Sequence, residues 1–374
     1  MRIAIDAREL EGKPTGVGRY LSNLLHRWLS SASGDDFILY HRGELARREW
    51  LAGDAVKLVR LADGILPFGV WWQQAVLARA LRRDKPDVFF APADSMPLRW
   101  RGPTILTFHD LAYEAYPEWF GRTEGVRRRW LARRSARRAA GIVAISNFTR
   151  SELRSRYDIP EDKIEVVYHG IDDSLRRAPF TPEDELRRKT ELDMPFAIMI
   201  GSLFERRFPS QIIRAFRLLE DLDIGLVIAG DDRRQAGRDL LAEIRELGLE
   251  KKVRWLEYVS EEDLCGLYRA AGMLISLSLY EGFSLPPLEA MSFGLPAIVS
   301  GRGAQLEVYG DAAFSLAEET EENIALAIRS ILTDAELRGD LIKRGNELAG
   351  RLTLDRCAER TLELIRKTGG ASGG

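Results

Sequence analysis

The 374 residues predict an α/β chain of two domains, each organised on a doubly wound parallel sheet. Short apolar runs of strand length alternate with helix-length segments from the first residues onward, the pattern of parallel strands joined by crossover helices. The length exceeds one ordinary domain and suits two of roughly 180 residues, each able to bury its own core. Near the middle, residues 173–193 are charged, carry Pro179 and Pro182, and separate two strand-rich regions, as a linker does. With 45% hydrophobic residues, 30% charged residues and a net charge of −2, neither disorder nor nucleic-acid binding by the whole protein is expected. Cys265 and Cys357 lie far apart with no zinc or disulfide spacing, which suits a reducing cytosol. Met1-Arg-Ile-Ala-Ile-Asp6 reads as a buried strand and no apolar run has membrane-spanning length, so neither a signal peptide nor a spanning helix is predicted.

In the amino-terminal half, residues 3–5 make the first strand, and residues 20–29 put Leu21, Leu24, Leu25, Trp28 and Leu29 on one helix face. The loop between them holds Gly16-Val-Gly18-Arg-Tyr-Leu21. It imitates a dinucleotide fingerprint, but Leu21 replaces the third glycine and residues 8–15 intervene where a tight turn is needed. Gly16 and Gly18 at a helix start still leave backbone N–H groups for a phosphate or sugar oxygen. Further strands are expected at 37–40, 56–59, 88–90, 104–108, 142–145 and 164–168. His109-Asp110 ends one of them, on the side where ligands of such sheets bind. Ser146 reads as a helix N-cap. His169 has no His or Cys at ligand spacing and is assigned no chemistry. Trp71 and Trp72, within 66–74, point in different directions from a helix start, so one is expected in the core. Residues 127–138 form a basic helix, with Arg127, Arg128, Arg129, Arg133, Arg134, Arg137 and Arg138 around Trp130 and Leu131. It is either a solvated face or a contact for anionic lipid headgroups or a lipid-diphosphate acceptor.

In the carboxyl-terminal half, strands are expected at 196–200, 226–229, 253–256, within 272–279 and within 294–301, and Ser260 with Asp263 reads as a capped helix start. Asp221-Leu-Asp223 precedes a strand and is assigned no metal. The stretch 280–291, Tyr-Glu-Gly-Phe-Ser-Leu-Pro-Pro-Leu-Glu-Ala-Met, organises this half. Pro286 and Pro287 suit a helix's first turn, which places Glu281 on the preceding loop and Glu289 in the opening turn. The N–H groups of Gly282, Phe283, Ser284 and Leu285 then make an anion site by geometry. A phosphate there is tolerated between two carboxylates only if each accepts hydrogen bonds from hydroxyls. A nucleotide-sugar offers these on both sides of its diphosphate, in the order sugar, phosphate, ribose.

The segment Glu281-Gly-Phe-Ser-Leu-Pro-Pro-Leu-Glu289 resembles the Glu-x7-Glu signature of retaining glycosyltransferase family 4, whose fold is GT-B, two facing Rossmann-like domains with a cleft between them. The resemblance implies that Glu281 contacts hydroxyls of the donated sugar and Glu289 holds the ribose. Gly201-Ser-Leu-Phe-Glu-Arg206-Arg207 resembles the second signature, with Arg207, Phe208 and Ser202 standing where Lys, Asn and Arg are usual. It implies that Arg206 and Arg207 hold the departing diphosphate, whose growing charge fixed cations stabilise. Gly16 and Gly18 are then expected to bind the donor from a cleft-facing loop, His109 to face the transferred sugar, and Tyr258 or Val259 to lie beside the base. The same resemblance sets domain boundaries at 1–172 with a returning helix at 353–367, 173–352, and a flexible tail at 368–374. It implies transfer in which the leaving phosphate takes the acceptor's proton, with no metal and no cofactor beyond the nucleotide-sugar donor. The expected acceptor is a saccharide or lipid-linked saccharide. The surroundings of His109 and of Trp71-Trp72 look like bacterial polysaccharide mannosyltransferases, which points to GDP-mannose. A cytoplasmic protein is expected, peripheral to the inner face of an anionic membrane if residues 127–138 make that contact. Rival expectations are a nucleotide-sugar epimerase or sugar phosphorylase on the same fold, or a silent nucleotide-sugar-binding module.

Overall fold

The computed structural model describes the chain except residues 13, 14, 32, 33, 46, 47, 52, 63–68, 173, 235–238 and 372–374, and except the side chains of 48 and 49. Parts of four stretches singled out in the sequence lie outside the described residues: 13 and 14 in the loop 8–15, 66–68 before the tryptophan pair, 173 in the linker, and 372–374 in the tail. The chain forms two units, one of Met1–His169 with Leu354–Gly374 and one of Gly170–Thr353.

The first unit is a seven-stranded sheet of β1 (Arg2–Asp6), β2 (Asp36–His41), β3 (Val56–Arg60), β4 (Val88–Ala91), β5 (Thr104–Phe108), β6 (Gly141–Ala144) and β7 (Ile164–Val166) in the order β3-β2-β1-β4-β5-β6-β7. The second is a six-stranded sheet of β8 (Phe196–Ile200), β9 (Gly225–Ala229), β10 (Val253–Leu256), β11 (Met273–Ser276), β12 (Ala297–Ser300) and β13 (Phe314–Leu316) in the order β10-β9-β8-β11-β12-β13. Every described strand pair is parallel. Helices cover both faces of such sheets, so their strands are apolar without alternation: Val88–Ala91, Thr104–Phe108 and Gly225–Ala229 are buried at every position. Strand order reverses beside β1 in one sheet and beside β8 in the other, which opens a crevice at the carboxyl ends of the strands there.

The last helix, Leu354–Gly370, packs on the first unit. Trp28 Nε1 donates to the Ala358 carbonyl at 2.8 Å, Arg366 pairs with Asp35 at 2.7 Å, and Cys357, Leu362 and Ile365 join Trp28 in one core cluster. Trp72 is buried and Trp71 is exposed. Ser146 caps its helix by accepting from Thr149 N–H, and Ser260 does the same for Asp263 N–H, each at 3.0 Å. Two strands are shorter than the apolar runs suggest. β7 stops at Val166 so that Tyr168 and His169 turn out beyond the sheet, and β11 stops at Ser276 so that Ser278 N–H can bond the Ser300 hydroxyl. The three-residue β13 was not expected, because Phe314-Ser-Leu is too short to show a period.

Candidate functional site

In the second unit the polypeptide leaves β11 through Leu277 to Glu281 and re-enters as the helix Leu285–Ser292. Ser284 sits before that helix at φ 72°, a region that costs a side-chain-bearing residue of order 1–3 kcal/mol. The turn is held from outside, since the Tyr309 hydroxyl donates to the Ser284 carbonyl and Ser276 Oγ lies 3.4 Å from Ser284 Oγ. Phe283 points into the core against Tyr309, so only its backbone is offered to a ligand. Gly282 is buried, and Leu285 is partly exposed at the helix start.

Glu281 is fastened to Arg207. Arg207 Nε and Nη2 each reach Glu281 Oε1 at 3.0 Å, and Ser278 Oγ donates to the same oxygen at 3.3 Å. Among the described residues, Oε2 accepts no hydrogen bond. Arg207 Nη1 donates to the Ser202 carbonyl at 3.1 Å. Its guanidinium crosses the backbone of Gly201, where a Cβ would stand 2.7 Å from Nη1 and where φ is 110°. The positive φ makes glycine the favoured residue at 201, and any side chain there would also displace the Arg207 guanidinium. Arg206 lies over the Phe204 ring at 4.0 Å, and its carbonyl accepts from Leu279 N–H at 2.8 Å, which ties the arginine turn to the Glu281 loop. A small crevice opens here, lined by Arg207, Ser276, Glu281, Ser284 and Pro286.

Glu289 departs from expectation. It is the fifth residue of Leu285–Ser292, one turn in, and is buried at 5% exposure with the Tyr268 hydroxyl donating to Oε2 at 2.8 Å. The helix begins as early as Leu285 because Ser284 takes the left-handed turn, and this moves Glu289 out of the first turn. Its carboxyl is therefore held by a specific donor and not by the helix terminus, where the dipole effect is concentrated. Tyr268 was missed in the sequence, although a buried tyrosine hydroxyl needs a partner. Tyr258 is 84% exposed and Val259 partly exposed, both in the turn after β10.

In the first unit, Gly16 and Gly18 do open a helix, Gly16–Ser30, but the Gly18 N–H is taken by its N-cap, donating to Thr15 Oγ1 at 3.0 Å. Gly18 is required for a different reason than anion binding: a Cβ there would meet the Glu9 carbonyl oxygen at 2.2 Å. Gly16 is exposed, with open space where a Cβ would lie. His109 follows β5 and its Nε2 is 2.8 Å from the Pro92 carbonyl. A second imidazole, His169, stacks on it with centroids 5.5 Å apart at 20°, and the Tyr20 ring meets both edge-on at 5.0 Å. Burial lowers the pKa of both imidazoles, that of His169 to about 3. His169 lacks ligand spacing in the sequence, and its packing against a residue 60 positions away has no local signal.

The basic helix is Arg122–Arg138. Arg128 pairs with Asp94 at 3.1 Å over the Tyr113 ring, and Arg133 reaches Glu114 at 3.7 Å over the Tyr157 ring, so part of its charge is turned inward. Trp130 and Val126 are exposed, with Arg134 stacked on Trp130 at 4.9 Å. Among the described residues no three His, Cys, Asp or Glu side chains gather as a metal ion would need, and no helix is long and apolar enough to cross a membrane.

Two family models match the chain, "Glycosyltransferase Family 4" over residues 14–175 and "Glycosyl transferases group 1" over 182–348. The chain is similar to the O-antigen chain mannosyltransferase B of Escherichia coli, 27% identical over 395 residues that cover 98% of this chain and 100% of that protein. It is also 27% identical to the O-antigen chain mannosyltransferase RfbU of Salmonella typhimurium, over 68% of this chain and 67% of that protein. Among solved structures it resembles Anabaena HepE in complex with UDP and glucose, with a TM-score of 0.77 at 19% identity, covering 98% of this chain and 100% of that one. WaaG, a glycosyltransferase involved in lipopolysaccharide biosynthesis, matches with a TM-score of 0.75 at 17% identity over 100% of both chains.

Proposed function

The chain belongs to glycosyltransferase family 4 and has the GT-B fold, and we propose that it transfers a mannosyl residue from GDP-mannose to a saccharide or lipid-linked saccharide, with retention and without a metal ion. The full-length similarity to an O-antigen chain mannosyltransferase supports the sugar. Family membership supports retention. The observation that carries the site assignment is the Glu281–Arg207 pair. It spends one carboxylate oxygen on the guanidinium and leaves Oε2 for sugar hydroxyls, beside a cation suited to phosphate oxygens. Arg206 and Arg207 supply positive charge where the diphosphate leaves, and the backbone N–H groups from Gly282 to Leu285 add dipoles aimed at the same anion. The leaving phosphate takes the acceptor's proton. Glu289, oriented by Tyr268, accepts from the ribose, while exposed Tyr258 and Val259 border the base. Gly16 and His109 belong to the sugar and acceptor side.

On the first unit, exposed Trp130 and Val126 beside Arg127, Arg134 and Arg138 favour peripheral contact with an anionic cytoplasmic membrane face. Replacing these three arginines by Gln should weaken binding to anionic vesicles and spare nucleotide affinity; unchanged vesicle binding returns the helix to a solvated face. The donor is tested by thermal shift across nucleotide-sugars, since a specific ligand stabilises by RT ln(1 + [L]/Kd). Stabilisation by UDP-sugars but not GDP-mannose overturns the donor. Activity that disappears in excess EDTA and returns with manganese overturns metal independence, and an inverted anomeric product overturns retention.

A further inference from the structure

His169, stacked on His109 in the first unit, is the structural feature that the proposed chemistry leaves unused. β6 lies between β5 and β7 in the sheet, so His109 after β5 and His169 after β7 meet beyond its carboxyl end. Tyr20 closes the third side from the helix Gly16–Ser30, with its hydroxyl 3.3 Å from Thr107 Oγ1. A carbonyl only accepts, so the 2.8 Å contact of His109 Nε2 with the Pro92 carbonyl requires the proton on Nε2. In the neutral ring Nδ1 is then a lone-pair acceptor. We propose that His169 is a positioning residue that, by stacking on His109, fixes that ring with Nε2 as donor and Nδ1 as the acceptor offered to a hydroxyl of the donor or acceptor sugar. The offer to a sugar rests on the glycosyltransferase assignment; the fixed tautomer does not.

The electrostatic surroundings agree with a neutral ring. Burial is the largest influence on His109 and disfavours its charge, and His109 in turn disfavours charge on the buried His169. The Pro92 carbonyl and, after it, Asp94 favour the charged form of His109, and Arg128 disfavours it. Asp94 and Arg128 offset each other through their 3.1 Å pair, and burial, the largest influence, outweighs the Pro92 carbonyl and lowers the ring's pKa. Tyr20 contributes ring edges and no charge, its own ionisation being pushed up by burial. A protonated His109 would set a cation against the stacked face of a buried imidazole and would leave no lone pair on Nδ1.

The test is long-range nitrogen NMR of the imidazoles in the full-length protein, comparing wild type with His169→Ala, His169→Asn and His169→Phe. In the wild type, His109 should hold the Nε2–H tautomer from pH 7.5 to 5. In the Ala and Asn variants it should populate both tautomers and titrate back toward its ordinary value near 6.5. The Phe variant, which restores a stacked ring without a titrating group, should recover the wild-type pattern. Transfer kcat should fall on the order of tenfold in Ala and Asn and recover in Phe, with nucleoside diphosphate affinity unchanged. The proposal is overturned if a folded Ala or Asn variant keeps the His109 nitrogen spectrum of the wild type, or if Phe behaves like Ala. A restored tautomer without any recovery of transfer would keep the positioning role and sink the assignment of His109 to the sugar side. The spectra are read without substrate, so failure of the glycosyltransferase assignment leaves the tautomer decided on its own.

Discussion

The two units hold polar groups in place by opposite means. In the second, the Glu281 and Glu289 carboxyls are each fastened by a donor, Arg207 in one case and Tyr268 in the other. In the first, burial lowers the pKa of both His109 and His169, which stack on each other with Tyr20 edge-on to both. A charged group taken out of water needs a partner, whereas a group that can shed its charge needs only to be buried. The second unit therefore reveals its site through residue types, and the first through packing.

Breaking the pair in the second unit should have the largest effect. Arg207→Met leaves the Glu281 carboxylate, 15% exposed, without its cation, and should cost about 3 kcal/mol in stability. The double variant Arg207→Met with Glu281→Met should recover most of it. Urea unfolding measures both, and a loss under about 1 kcal/mol in the single variant means water already screens the pair.

The imidazoles predict an acid-sensitive first unit. His169 binds its proton in the unfolded chain near pH 6.5 but in the folded state only near pH 3, so its contribution is complete above 6.5 and lost as pH falls through that window. The difference between wild type and His169→Phe across it should reach a few kcal/mol. Parallel stability curves for the two proteins from pH 7 to 4 would contradict the depressed value.

The two glutamates sharpen the comparison within the second unit. Glu289→Gln should weaken the nucleotide-sugar and the free nucleoside diphosphate alike. Glu281→Gln should slow transfer and leave diphosphate binding nearly intact. Each should lose on the order of 1.5–3 kcal/mol, and equal losses of diphosphate affinity by calorimetry would overturn the order sugar, phosphate, ribose. The smallest effect tests whether Thr15 is only a cap: Thr15→Ala should cost about 1 kcal/mol, close to Ser260→Ala in the other unit. A much larger loss of transfer than of stability in Thr15→Ala would show that the Gly16–Gly18 turn meets substrate.

By itself, the sequence determined the two doubly wound sheets, the positions of most strands along the chain, the caps at Ser146 and Ser260, and the loop carrying Glu281, because each follows from local period and residue type. It also brought Arg207 and Glu281 into one site, but only through a family signature, since residues 74 apart share no local pattern. Tertiary structure alone decided that these two are bonded to each other, that Glu289 lies under its helix against Tyr268, and that Gly18 answers to the Glu9 carbonyl. It alone joined His109 to His169. The physical reason is the same throughout. A strand or a cap is specified by neighbours within a few residues, while the state of a buried charge or imidazole depends on what the whole fold sets within hydrogen-bond or stacking distance of it.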